Sequence, residues 1–153
     1  MTPLFKKLNL GSATVVHVLN APAAIEPELA ALEQVEIRRS AIGPVGFALA
    51  FVTTLDEVER ATGLLTPNAV EDATLWMAYP KGTSKNYRCE FNRDTGWASL
   101  GAAGYEPVRQ VAIDEDWSAL RFRQVAHIKK MTRNPEGAIS SAGRSKARAS
   151  RGG

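Results

Sequence analysis

The sequence predicts an α/β fold: a single small, doubly wound, mostly parallel sheet that ends in an antiparallel hairpin. Three observations support this prediction. Near-continuous apolar runs of strand length recur along the chain, as expected of strands that are buried on both faces. Segments with helical periodicity and capping signals lie between these runs. The last two runs are separated by a short acidic segment that suits a hairpin turn.

The first half of the chain contains three of the predicted strands. Residues 13–19 (ATVVHVL) and residues 46–53 (GFALAFVT) are almost entirely apolar, which is typical of buried strands. Residues 35–38 (VEIR) alternate between apolar and charged side chains and predict a shorter strand. A short helix over residues 27–33 is expected to begin at Pro27, a favourable first helical position.

A second helix is predicted to begin after Thr54. Thr54 and Glu57 have the spacing of a capping box, in which each side chain bonds the backbone N–H of the other residue. The residues that follow place an apolar stripe on one helical face: Leu55, Val58, Ala61 and Leu65. The helix is therefore expected to pack this stripe against the sheet.

The second half of the chain supplies the rest of the predicted sheet. Asn92 is expected to cap a helix that carries Trp97 and Leu100 on one side. The remaining apolar runs predict three further strands, over residues 74–79, 108–113 and 119–125. Since strands and helices alternate until the closing hairpin, right-handed crossovers would wind the sheet in both directions.

The charge is distributed unevenly along the chain. Residues 1–128 hold 12 basic and 15 acidic side chains, whereas residues 129–153 hold seven basic side chains against Glu136 alone. From Arg133 onward there is no aromatic residue, and Ile139 is the only large aliphatic one. Such a segment buries too little apolar surface to offset the entropy of ordering it. We therefore predict one domain over residues 1–130 and a disordered basic tail over residues 131–153.

Three segments resemble a known family: residues 75–85 (LWMAYPKGTSK), 92–97 (NRDTGW) and 108–123 (VRQVAIDEDWSALRFR). In these segments, and over about residues 8–128, the sequence resembles an uncharacterised bacterial family, domain of unknown function 3052. The order of the predicted elements also resembles an abbreviated class I methyltransferase sheet. The resemblance implies a methyltransferase-like, Rossmann-like fold without an assigned activity.

The turn after the first strand does not suit a nucleotide cofactor. Dinucleotide and S-adenosylmethionine sites of this type need glycines there, and an acidic residue at the end of the second strand. The turn here (LNAPAA, residues 19–24) has no glycine and includes Pro22, and the second strand ends in Arg38 and Arg39. The sequence therefore predicts no cofactor.

The loop after the strand at residues 74–79 is the strongest candidate for a binding site. It leaves the sheet at the edge where open α/β sheets bind ligands. Its sequence combines two cations, a glycine for a tight turn and two hydroxyls: Lys81, Lys85, Gly82, Thr83 and Ser84. Asn20 follows the first strand at the same predicted edge. Together these residues predict an anion- or ligand-binding site; the alternative is a structural loop whose lysines face solvent.

The predicted hairpin turn is the second candidate site. It consists of three carboxylates and an indole: Asp114, Glu115, Asp116 and Trp117. Carboxylate oxygens suit a divalent cation, but adjacent residues seldom converge on one ion, so no metal is predicted. In the alternative, Asp114 and Asp116 bond the turn backbone, Trp117 packs into the core, and Lys81 or Lys85 pairs with the acids.

The other reactive residue types favour structural roles. His17 lies within the first strand and is expected to be a hydrogen-bonded core histidine. Cys89 has no base nearby in sequence and is expected to be an ordinary cysteine. No Gly-x-Ser-x-Gly elbow or Ser/His/Asp pattern is present. The sequence therefore predicts no catalytic residue.

The tail suggests a separate activity. Its cations would contact polyanions by releasing counterions, without reading sequence; the candidates are Arg144, Lys146, Arg148 and Arg151. The alternative is that the tail only increases solubility. The predicted partners are thus a small anionic ligand and, weakly and without specificity, nucleic acid.

Taken together, these features favour a binding or interaction module without catalytic activity. One alternative is an enzyme acting on a phosphorylated or adenosine-containing small molecule, and another is nucleic-acid association through the tail. The segment after Lys6 and Lys7 is too short and polar for export, and the longest apolar stretch, residues 42–52, is too short to span a membrane. With an unpaired Cys89, the cytoplasm is the expected compartment.

Overall fold

The computed structural model describes residues 2–92 and 94–128. Its helices are α1 (Pro3–Lys7), α2 (Glu26–Ala30), α3 (Leu55–Leu65) and α4 (Ala98–Ala102). Its strands are β1 (Val15–Leu19), β2 (Glu36–Arg38), β3 (Val45–Phe51), β4 (Ala69–Pro80), β5 (Tyr105–Ala112) and β6 (Trp117–Gln124). The predicted tail, with Arg144, Lys146, Arg148 and Arg151, lies outside the described residues.

The six strands form one mixed sheet in the order β2-β1-β3-β4-β6-β5. β1 pairs in parallel with β2 and β3, and β3 pairs in parallel with β4. β6 lies between β4 and β5 and runs antiparallel to both. β4 therefore has a parallel neighbour, β3, on one side and an antiparallel neighbour, β6, on the other.

This arrangement corrects the predicted fold class: the sheet is mixed, not a mostly parallel, doubly wound one. The prediction is wrong because a strand buried on both faces has the same apolar pattern whatever its neighbours, so the pattern did not show that β6, the second strand of the predicted hairpin, would insert antiparallel beside β4. The helices are also fewer and shorter than that class requires. The connection from β2 to β3 contains no helix, and only α3, with 11 residues, exceeds five.

Two core layers cover the two faces of the sheet. On the first, which we call the α1 face, α1 and α2 bury Phe5, Leu8 and Leu29 against the sheet. On the second, the α3 face, α3 and α4 bury Val58, Leu65 and Leu100. Both faces of most of β1 and β3 and of the second half of β4 are thereby removed from water, which explains their continuous apolar sequences.

The start of α3 matches its sequence signal. The Thr54 hydroxyl accepts from the Glu57 backbone N–H at 3.1 Å, and the Glu57 carboxylate accepts from the backbone N–H groups of Thr53 and Thr54. This reciprocal bonding confirms the predicted capping box.

Other boundaries differ from the predictions. α4 begins at Ala98 and not after Asn92, whose side-chain oxygen instead accepts from the backbone N–H of Asp94 at 2.8 Å in a local turn. β4 begins at Ala69, and Asp72 within it has a positive φ of 54°. α1 was not predicted, since five residues are too few to show a helical period. Within the described ranges, no helix is long and apolar enough to cross a membrane.

Candidate functional site

The carboxyl ends of β1, β3 and β4 lie at one edge of the sheet, together with the amino end of β6. Because β6 is antiparallel to β4, Pro80 at the end of β4 pairs with Trp117 at the start of β6. The loop after β4 therefore lies beside the hairpin turn before β6. The backbone N–H of Lys81 donates to the carbonyl of Asp116 at 2.7 Å, which joins the two candidate segments directly.

Asp116 fixes the conformation of the loop. Its carboxylate accepts from the Ser84 hydroxyl at 2.8 Å and from the Asn86 side-chain amide at 3.1 Å. The Ser84 hydroxyl in turn accepts from the backbone N–H of Tyr87 at 3.1 Å. Ser84 and Asp116 thus bond each other and support the loop. The sequence had predicted Ser84 as a ligand-binding residue and, in one alternative, Asp116 as a partner of the turn backbone.

Asp114 and Trp117 hold the hairpin turn itself. One oxygen of Asp114 accepts from the backbone N–H groups of Asp116 and Trp117, both at 2.8 Å. The Trp117 indole is buried and packs edge-on against Phe51, with ring centroids 5.1 Å apart. Glu115 is exposed. The turn is therefore arranged for structure, and within the described residues no group of three or more His, Cys, Asp or Glu side chains could hold a metal ion.

A groove of about 750 Å³ opens beside the loop. The loop contributes Lys81, Gly82, Thr83 and Ser84 to its lining, and Arg88 and Ser118 contribute further polar groups. Aromatic rings form another part of the wall: Tyr79, Tyr87 and Phe91. This combination of apolar surface with a few polar groups is typical of a small-molecule site.

Two cations of the groove have no counterion in the structure. Neither Lys81 nor Arg88 forms an ion pair with another residue in the described part of the chain. The nearby carboxylate of Glu90 accepts instead from the backbone N–H of Leu55 at 2.9 Å, at the start of α3. The groove therefore presents uncompensated positive charge.

Two predicted site residues lie apart from the groove. Asn20 follows β1 with a φ of 59°, and its side-chain amide donates to the Phe51 carbonyl at 3.4 Å, so it contacts the end of β3. Lys85 is exposed and does not belong to the described lining of the groove. The sheet edge thus brings Lys81, Gly82 and Thr83 to the groove but leaves Asn20 and Lys85 outside it.

Sequence reasoning missed Arg88 as a site residue. It lies after the loop that was singled out, in a segment of irregular structure without periodicity. Cys89 and Ser118 also line the groove. Burial raises the pKa of the Cys89 thiol, which keeps it protonated near neutral pH and a poor nucleophile. The one feature of the sequence that could have indicated Arg88 is its closeness to the two other cations of this segment, Lys81 and Lys85.

His17 has the structural role that the sequence favoured. Its ring is fully buried, with Nδ1 2.7 Å from the Ser40 carbonyl oxygen and Nε2 3.2 Å from that of Pro44. The ring therefore anchors the connection between β2 and β3. It lies within β1 and does not belong to the groove.

Comparisons with known proteins add little to this site. Neither a protein-family model nor a curated protein matches the sequence. A solved structure entitled "A Pericyclic Reaction enzyme" is similar, with 13% sequence identity and a TM-score of 0.41 over 80% of this chain and 47% of that chain. This chain therefore spans about half the length of the structure it matches. Membership of domain of unknown function 3052 stays a prediction.

Proposed function

We propose that the protein is a binding module that takes a small organic anion in the groove beside the loop after β4. The observation that carries this proposal is a groove with aromatic lining residues and two cations, Lys81 and Arg88, that form no ion pair with any other residue the structure describes. A phosphate or carboxylate group would bond the cations, while a ring or chain of the ligand would contact Tyr79 and Phe91.

The chemistry of the groove supports binding over catalysis. The carboxylate that contacts the loop, Asp116, is bonded to Ser84 and Asn86. General acid–base catalysis needs a titratable group within hydrogen-bond reach of the substrate, and Cys89 has a raised pKa that opposes a nucleophilic role. The polar lining consists of cations and hydroxyls, such as Lys81, Arg88 and Thr83, and such groups can bind an anion.

Thermal-shift measurements with nucleotides, S-adenosylmethionine, sugar phosphates and dicarboxylates test this proposal. We expect at least one of these anions to raise the melting temperature of the wild-type protein, because a ligand that binds only the folded state stabilises it. Lys81→Ala and Arg88→Ala should reduce the shift. Lys85→Ala removes a cation from the same loop but outside the groove, and should retain it.

A shift of equal size in Lys81→Ala, Arg88→Ala and the wild type would contradict the groove as the site. The enzyme alternative has a different signature: the stabilising ligand would be converted to product, which NMR of the ligand would detect over hours. Turnover that is lost in Lys81→Ala would replace the binding proposal with the enzymatic one.

We also propose the cytoplasm as the compartment of the protein. Cys89 is unpaired in the structure, and its thiol is partly buried beside the groove. A reducing compartment would preserve such a thiol. Localisation of the tagged full chain by fractionation tests this assignment.

A further inference from the structure

Three arginines lie together on the α1 face of β5 and β6. Arg109 of β5 is directly opposite Arg121 of β6, and Arg123 lies two residues further along β6. Side chains two residues apart on a strand point to the same face. Val111 and Ala119, each two residues from one of the opposed arginines, pack into the core under α1, so the arginines lie on that face.

The three guanidinium groups are not neutralised equally. Arg123 makes two hydrogen bonds to the Asp72 carboxylate, at 2.7 and 2.8 Å. Arg109 and Arg121 form no ion pair with any residue in the ranges that the structure describes. Like charges that face each other across an antiparallel strand pair repel and destabilise the pair. A bound anion would relieve this repulsion between Arg109 and Arg121.

Arg121 is also poorly bonded for a partly buried charge. Its Nε is buried without a hydrogen-bond partner, and one terminal nitrogen is 3.4 Å from the Thr74 hydroxyl. Burial lowers the pKa of Arg121, and the positive charges of Arg123 and Arg109 lower it further, while the Asp72 carboxylate, which is bonded to Arg123, offsets only part of this effect. An unpartnered buried donor on a charged group costs more free energy than a neutral one.

We propose that Arg109 and Arg121 form a second anion site, for a phosphate group, on the α1 face of the β5–β6 hairpin. A tetrahedral oxyanion offers oxygens to both guanidinium groups, and it would neutralise the pair as Asp72 neutralises Arg123. Thr74 adds a hydroxyl donor beside Arg121. β5 is the edge strand of the sheet and Arg109 is exposed, so the phosphate reaches the site from solvent. This site is independent of the groove.

Titration of the full chain with inorganic phosphate, at constant ionic strength maintained with sodium chloride, tests the proposal. We expect saturable binding by calorimetry or 31P NMR, with affinity reduced about tenfold or more in Arg109→Gln and in Arg121→Gln. Arg60→Gln removes an exposed arginine that is paired with Asp56 on α3 and should bind as the wild type does. Lys81→Ala should also retain this site, which separates it from the groove.

Stability gives a second readout. Without phosphate, Arg121→Gln should be at least as stable as the wild type, because it removes a charge that lacks a counterion. With phosphate, the wild type should gain melting temperature and Arg121→Gln should not. Absence of saturable binding in the wild type, or unchanged binding in the Arg109→Gln, Arg121→Gln double variant, would overturn the proposal.

The phosphate could belong to a small molecule or to a nucleic-acid backbone, and a third titration distinguishes these sources. Inorganic pyrophosphate and a short single-stranded oligonucleotide are compared on the full-length wild type and double variant. An affinity that falls in the double variant supports the site, and the probe whose affinity falls more identifies the source, because binding through the tail is the same in both proteins. Equal binding of both probes to wild type and double variant overturns it.

Discussion

Asp116 organises the groove without lining it. Its carboxylate bonds Ser84 and Asn86, and its backbone carbonyl accepts from Lys81, so one residue of the hairpin turn holds both ends of the loop. Asp114 holds the turn in the same way, through two backbone N–H groups. The Asp114 and Asp116 carboxylates that suggested a cation site therefore hold the hairpin turn and the loop that carries Lys81.

Replacing Asp116 with alanine should loosen the loop. The change leaves the Ser84 hydroxyl and the Asn86 amide without their acceptor, and we expect a loss of about 1 kcal/mol in unfolding free energy. Anion affinity at the groove should fall as well, because the loop that carries Lys81 loses the side-chain bonds at Ser84 and Asn86, although its backbone bond to residue 116 remains. Urea denaturation and ligand titration measure the two effects. Glu115→Ala, on the exposed side of the same turn, is the matched control; equal losses in both variants would contradict the role of Asp116.

Among the elements, β4 connects the parallel and antiparallel parts of the sheet. It pairs with β3 on one side and with β6 on the other. Near its start, Asp72 has a left-handed backbone conformation and bonds Arg123 of β6 through both carboxylate oxygens. Hydrogen bonds from the Arg123 guanidinium hold the pKa of Asp72 below its ordinary value. The ion pair thus links β6 to β4, its antiparallel neighbour.

The Asp72–Arg123 pair should make stability depend on pH. Because the pKa of Asp72 is lower in the folded state, its contribution is complete above the unfolded value near 3.8 and is lost as the pH falls through the folded value. Asp72→Asn keeps a residue that tolerates the left-handed conformation but removes the charge. The wild type should therefore be more stable near neutral pH, and the difference should shrink in acid.

Denaturation curves of both proteins across the acid range measure this difference. Asp56→Asn is the control, since Asp56 forms an exposed pair with Arg60 within α3, and such pairs contribute little. A constant difference between wild type and Asp72→Asn at all pH values would show that the ion pair does not set the pH dependence.

For the whole molecule, the distribution of charge indicates two modes of anion binding: at small groups of cations in the described part, and non-specifically through the basic tail. Residues 1–128 carry more acidic than basic side chains, and the excess of basic residues belongs to residues 129–153. The cations of the described part act in small groups, as Lys81 and Arg88 do in the groove and Arg109 and Arg121 do on the α1 face. Non-specific attraction to a polyanion is expected to depend on the tail.

Deletion of residues 133–153 should abolish weak binding to DNA. In the full chain we expect affinity to fall steeply with salt, because each phosphate that is neutralised releases a counterion. Fluorescence anisotropy with a labelled duplex, at several salt concentrations, measures both quantities. Retention of the salt-sensitive binding after the deletion would show that the tail is not responsible, and the Arg109→Gln, Arg121→Gln double variant would then test the α1 face.

Local signals in the sequence were enough to predict several elements. The apolar run at residues 46–53 covers all of β3 except Val45, and the Thr54–Glu57 spacing marks the first turn of α3, because each of these features depends on residues within a few positions of one another. The loop at Lys81 was recognisable for the same reason: its glycine, hydroxyls and cations are adjacent in the chain.

The position of β6 beside β4 and the composition of both anion sites depended on tertiary structure. β6 pairs with β4 across more than 30 residues, and its apolar pattern is the same whichever way it runs. Arg88 reaches the groove through an irregular segment, and Arg109 meets Arg121 only because β5 and β6 pair in one particular register. Sequence periodicity reports which face of an element is buried, whereas the neighbours of that element are determined by long-range pairing, which leaves no local pattern.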